Sequence, residues 1–123
     1  MILIEKIPEL DWSDTAREEL ELTGKDLIDQ SSIAYQIGNV AIAGLIHDSF
    51  TSPPWFWFAL AKGVTLRELL DFRRYTELIP KGAMTGVNAN CPEAIKFAKL
   101  FGFEDIGQSA NIGGNVYRLF RRK

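Results

Sequence analysis

His47, the one histidine of the chain, stands beside Asp48 at the end of an apolar run. Either side chain can take a proton or relay one through water. Cys91, the one cysteine, and Tyr117 are two further groups that can donate a proton. Each of the four also has a purely structural role open to it. His47 and Asp48 can simply be polar residues ending a strand. A lone cysteine commonly behaves as a small buried hydrophobe, and a tyrosine can be a core aromatic with a wet tip. One histidine and one cysteine cannot close a zinc site, and a single cysteine forms no internal disulfide. The chemistry within reach is therefore proton transfer by isolated side chains, with no metal.

The elements that must position these groups are legible from periodicity and punctuation. "MILIEKI" alternates as a first strand, and "DWSDTAREELELTG" reads as a helix. Asp14 or Thr15 can cap that helix, Thr15 with Glu18 has capping-box spacing, and Gly24 supplies a stop. "SIAYQIGNVAIAGLIHD" reads as two strands around Gly38–Asn39, the second apolar on both faces and hence central. "PPWFWFALA" is a further buried strand. Its alternating aromatics can pack under a helix on one face and, on the other, continue the core, line an acceptor pocket or meet a partner. "GVTLRELLDFRRYTELIPKG" is predicted to be a helix with a Thr65–Glu68 capping box, an apolar face of Leu66, Leu69, Leu70, Phe72 and Ile79, and an end at Pro80 and Gly82. "AMTGVNA" is a strand, "PEAIKFAKLFG" a helix with Pro92 in its first turn, and "FEDIGQSA" and "NVYRLFRR" a closing pair of strands. The order β-α-β-β-β-α-β-α-β-β predicts an α+β fold. It should be a three-layer α/β/α arrangement with a mixed, mostly antiparallel central sheet and right-handed crossovers.

The 123 residues amount to one domain, 1–123, without repeats or linkers, and are enough to bury a core without a staple. The start resembles no secretory signal, and no apolar stretch reaches the ~18 residues of a membrane span. A cytoplasmic location without membrane contact is the expectation. The net charge of −2 conceals a balance of −7 over residues 1–60 and +5 over residues 61–123. A basic half can draw an anionic ligand, or the two halves can complement each other across the fold. Arg121, Arg122 and Lys123 are too few to predict nucleic-acid binding.

The element order, together with "CPEAIKFAKLFGF", resembles the GNAT superfamily of N-acetyltransferases. One of the family's motifs often reads Asn-x-x-Ala-x-x-x-Tyr-x-x-x-Gly-Phe. Ala94, Gly102 and Phe103 fall in register with it, and "EDIG" follows as the family's next strand would. A fainter resemblance joins the chain to small phage proteins, including internal virion proteins. The family resemblance implies transfer of an acetyl group from acetyl-CoA, or another acyl-CoA, to a small-molecule or protein amine. It implies that the thioester's arm lies in a wedge between the fourth and fifth strands. Leu60 and Ala59 would face the arm, Asn88 or Asn90 would bond it from the other side, and the amides of Ala61, Lys62, Gly63, Val64 and Thr65 would hold the pyrophosphate. His47 and Asp48 would lie where the amine enters, and Tyr117 or Cys91 could protonate the leaving thiolate.

The departures from the family pattern are specific. Cys91 stands at the motif's Asn and Ala98 at its Tyr, which in the family often protonates that thiolate. "WFWFALA" carries no acid, and Gly63 alone remains of the glycines in the phosphate loop. The same residues therefore leave a second function open: a GNAT-shaped component that binds a phage or host protein, in the host cytoplasm or a virion, without catalysis.

Overall fold

The computed structural model describes residues 2–47, 52–71 and 77–123. Its elements are β1 (Ile2–Leu3), α1 (Asp14–Gln30), β2 (Ser31–Ile37), β3 (Ala41–Ile46), β4 (Trp55–Leu60), α2 (Leu66–Asp71), β5 (Met84–Asn88), α3 (Pro92–Leu100), β6 (Phe103–Ile112) and β7 (Asn115–Arg122). This is the order read from the sequence. The strands form one sheet in the order β1-β2-β3-β4-β5-β7-β6. All neighbours are antiparallel except β4 and β5, which run parallel. No helix among the described residues is long and apolar enough to cross a membrane.

Both boundaries of the first helix differ from the expectation. The first helix does not stop at Gly24 but runs on to Gln30. Gly24 is buried within it, and a Cβ there would come within 3.2 Å of Ile7. Its role is thus close packing rather than a left-handed turn. The cap is neither Asp14 nor Thr15: Ser13 accepts the Ala16 N–H at 3.2 Å, which satisfies one orphan amide of the first turn. The helix after β4 is described only over Leu66–Asp71, and the expected apolar position Phe72 lies outside the described residues. In that helix Leu70 is exposed, whereas Ile79 beyond it is buried.

The alternation of "WFWFAL" sorts its side chains between two cores, one on each face of the sheet. Trp57 and Ala59 join Trp12, Ala16, Ala34, Ile42 and Ile46 under α1, with Trp55 packed against them. Phe56 and Leu60 join Phe97, Ala98, Phe101, Phe103 and Phe120 on the α3 side, with Phe58 packed against them. Both aromatic faces are therefore core. Phe58 stacks on Phe97 at 4.4 Å between ring centroids, and Phe97 on Phe101 at 4.5 Å. α3 ends where Phe101 N–H bonds back to Phe97 C=O and Gly102 takes φ +82°, a conformation that glycine adopts without Cβ strain.

The α1 side depends on one missing side chain. Gly44 of β3 lies opposite Trp57 of β4, and a Cβ at Gly44 would sit 2.6 Å from the indole. The indole N–H donates to Ser31 Oγ at 2.7 Å, so the ring is held at one end and cannot easily give way. Gly44→Ala should cost about 1–3 kcal/mol, the range for overpacking a filled core. Urea unfolding followed by tryptophan fluorescence checks this: the midpoint should fall at unchanged slope, and an unchanged midpoint counts against the argument.

Candidate functional site

β4 and β5 are paired at a single register, Trp55 opposite Met84, with Met84 N–H bonding Pro54 C=O at 2.9 Å. Beyond that pair the strands diverge and leave a cleft of about 520 Å³. One wall is Phe58 to Val64, the other Gly86 to Asn88 with Cys91, Glu93 and Ala94, and the first turns of α1 cover it. The ladder between β3 and β4 places Ala41 opposite Leu60, and Ala61 N–H bonds Val40 C=O at 2.8 Å. Backbone groups alternate between the two edges of a strand. Those of Phe58 and Leu60 therefore face the β5 side, and Leu60 C=O accepts from Ser13 N–H at 3.1 Å.

The structure brings Leu60, Ala61, Lys62, Gly63, Val64 and Asn88 together in this cleft. Asn90 is exposed and outside the cleft lining; its N–H bonds Asn88 Oδ1 at 2.9 Å within the turn after β5. Thr65 is exposed just beyond the lining. The five amides from Ala61 to Thr65 are not equivalent. Ala61 donates to Val40, Lys62 donates to Asp11 C=O at 2.6 Å, and Thr65 donates to Glu68 Oε1 at 3.1 Å. The Thr65–Glu68 capping box is complete, since Glu68 N–H returns a bond to Thr65 Oγ1 at 3.2 Å. Among the described residues only the Gly63 and Val64 amides of this run remain without a protein partner. Gly63 has φ +69°, and a Cβ there would meet nothing within 4 Å, so its backbone is open to close approach. Lys62 Nζ lies 3.8 Å from Asp14, whose side chain is 96% exposed. Such a pair is weak and easily exchanged for another anion.

The proton-transfer candidates are scattered. His47 is exposed at the far end of β3, next to the Ile46–Trp55 pair, whereas the cleft opens at the Leu60 end of the same ladder. The antiparallel pairing of β3 and β4 is what separates them, so His47 is not among the cleft's side chains. Asp48 lies outside the described residues. Cys91 is half-buried in the lining, with its Sγ 3.7 Å from Glu93 Oε2. Ala98 is fully buried in the aromatic core, so this position offers neither a donor nor a route to the cleft.

Tyr117 is placed by β7 opposite Asn88. Its O–H donates to Glu19 Oε1 of α1 at 2.9 Å. Glu19 escapes a sequence reading because the partners are 98 positions apart and "REELE" looks like a solvated helix face. It is nevertheless half-buried and lines the cleft. Burial raises the Glu19 pKa above its ordinary value; the Tyr117 hydrogen bond opposes the rise, and the charge of Glu18 adds to it. Tyr117 is pushed up to about 12, first by burial and then by its bond to Glu19, while the Asn88 side chain acts in the opposite direction. It therefore stays protonated at neutral pH.

This fold recurs among solved acetyltransferases. AAC(6')-Ib in complex with ribostamycin and coenzyme A is 15% identical, with a TM-score of 0.56 over 86% of this chain and 71% of that one. AAC(6')-Ib in complex with parmomycin and acetyl-CoA aligns with a TM-score of 0.52 at 15% identity, over 91% of this chain and 78% of that one. A ribosomal-protein-S5-alanine acetyltransferase from Vibrio fischeri is 13% identical, with a TM-score of 0.51 over 89% and 76%. No protein-family model and no curated protein sequence matches the chain. At these identities the likeness defines the fold: a GNAT-type, acyl-CoA N-acyltransferase-like α+β fold.

The raised Glu19 pKa has a consequence for stability. Above pH 4.5 the unfolded chain has lost the Glu19 proton while the folded chain still holds it. Stability must then fall as pH rises through the window between 4.5 and the higher folded value. Glu19→Gln keeps an acceptor for Tyr117 and removes the titration. Its stability relative to wild type should match at pH 4, rise above pH 4.5 and level off once pH passes the folded Glu19 value, measured by urea unfolding at each pH. A difference that does not vary with pH counts against the assignment.

Proposed function

We propose that this chain transfers an acyl group from an acyl-CoA thioester to an amine. The observation that carries the reading is the splay of β4 and β5. A parallel pair that ends after one register leaves a strand edge facing a cleft, with Phe58 backbone groups turned toward it. An extended chain bearing amides can lie along such an edge as an added strand would. The amide-bearing arm of coenzyme A fits that description, and the fold's likeness to acetyltransferases solved with coenzyme A and acetyl-CoA supports the choice. Leu60 and Asn88 flank the arm. The Gly63 and Val64 amides hold the pyrophosphate, with Lys62 exchanging Asp14 for it. The bound thioester supplies an activated acyl carbonyl; the chain positions an amine beside it and keeps water out, and proximity of this kind accounts for several kcal/mol of a barrier.

A second reading is favoured by two observations. Three of the five expected amides are already bonded within the chain, and Ala98 is sealed in the core. Both suit a GNAT-shaped component that binds a protein, such as a small phage virion protein, without turnover.

Calorimetric titration with acetyl-CoA and with CoA decides between them. Wild type should bind at micromolar Kd, and Gly63→Asp should weaken binding at least tenfold by placing a carboxylate against the pyrophosphate, since each factor of ten is about 1.4 kcal/mol. Absence of any binding by wild type would remove the acyltransferase reading, and turnover of any amine would remove the scaffold reading.

A further inference from the structure

We propose that Glu19 is the base that takes the proton from the acceptor ammonium in this cleft, and that Tyr117 is the residue that positions it. The proposal rests on the acyltransferase reading above.

The geometry narrows the choice. Amine acylation needs a group that removes a proton beside the thioester, and β4 offers no acid. Of the carboxylates lining the cleft, Asp14 is exposed at the rim beside Lys62, and Glu93 is exposed beside Cys91. Glu19 is the half-buried one. One of its oxygens is held by the Tyr117 O–H, and among the described residues the other has no hydrogen-bond partner. Tyr117 on β7 and Glu18 on α1 act on it directly, and the charged or polar groups that share the cleft lining with it are Asp14 on α1, Asn88 on β5, Lys62 after β4, and Cys91 and Glu93 at the start of α3. Acid outweighs base among them, which favours an ammonium over a second anion near Glu19. A carboxylate lifted toward neutrality is also the better base at pH 7.

Glu19 Oε takes one proton from the R–NH3+ acceptor, leaving a neutral amine. The amine nitrogen forms the new N–C bond to the acyl carbonyl carbon, and the C–S bond breaks. The second nitrogen proton leaves with the thiolate as free thiol, and Glu19 returns its proton to water.

Tyr117 has a separable signature. Its hydrogen bond lowers the Glu19 pKa, so Tyr117→Phe should move that pKa upward. The test has two arms. Carboxyl-carbon NMR of ligand-free protein should show one glutamate titrating above the others. It should vanish in Glu19→Gln and titrate higher in Tyr117→Phe; a Glu19 signal titrating with the exposed glutamates overturns the proposal. The second arm is kcat/KM against pH, with acetyl-CoA and a panel of primary amines. Wild type should rise through the Glu19 titration to a plateau. Tyr117→Phe should shift that rise to higher pH. Glu19→Gln should lose it, drop about 10²–10⁴-fold at neutral pH, and gain rate only as the amine itself deprotonates. If Glu19→Gln acetylates amines at the wild-type rate with an unshifted profile, Glu19 is not the base and the acyltransferase reading stands. If wild type neither binds CoA nor acetylates any amine, both fall.

Discussion

The constraint on which this structure turns is a parallel strand pair that stops after one register. Once β4 and β5 part beyond Trp55 and Met84, the backbone groups of β4 need other partners, because buried amides and carbonyls left unpaired cost roughly 1–3 kcal/mol each. The chain before α1 supplies one for Leu60 and pairs the residues just beyond it. Ser13 N–H caps Leu60 C=O, Asp11 C=O takes the Lys62 amide, and Trp12 forms an isolated bridge with Ala61. Those bonds fix where α1 begins and lay its first turns over the cleft. The aromatic stack from Phe58 through Phe97 to Phe101 then fixes α3 on the opposite face. The same segment that closes the end of β4 thereby brings Glu19 to Tyr117.

The order of elements was open to reading because each carries its own local signal. Alternating apolar residues, a T-x-x-E box, a proline in a first turn and a glycine before a strand are all written within a few positions. What escaped was decided at a distance. Gly24 has the residue type of a helix stop, yet Ile7 packs against it and the helix continues to Gln30. Ala61 and Lys62 sit where free amides are expected, but Val40 and Asp11 reach them from elsewhere in the chain. Glu19 looks like one charge among several on a wet helix face until β7 places a phenol over it. His47 shows the converse: its chemistry is the most visible in the sequence, and the direction of β3 carries it to the wrong end of the sheet.

The core and the cleft also compete for residues. Position 98 holds an alanine packed in the core with Phe97, Phe101 and Phe120, away from the cleft. Gly44 is likewise small so that Trp57 can lie flat against β3. Both positions favour packing density on either side of the sheet, while the Tyr117–Glu19 hydrogen bond forms where α1 and β7 meet.

The sheet order has a bearing on how the chain reaches this state. β7, the last strand in sequence, lies between β5 and β6. In the native sheet β5 and β6 are not neighbours, so the sheet is complete only once β7 lies between them. The edge left waiting on β5 is the far edge of the same strand that walls the cleft. The late, long-range closure that this demands is the slow kind, which leaves strand edges exposed in the meantime. Maturation of the site is therefore tied to the final strand, and a nascent chain could carry every residue of the cleft's β4 wall before it had a cleft at all.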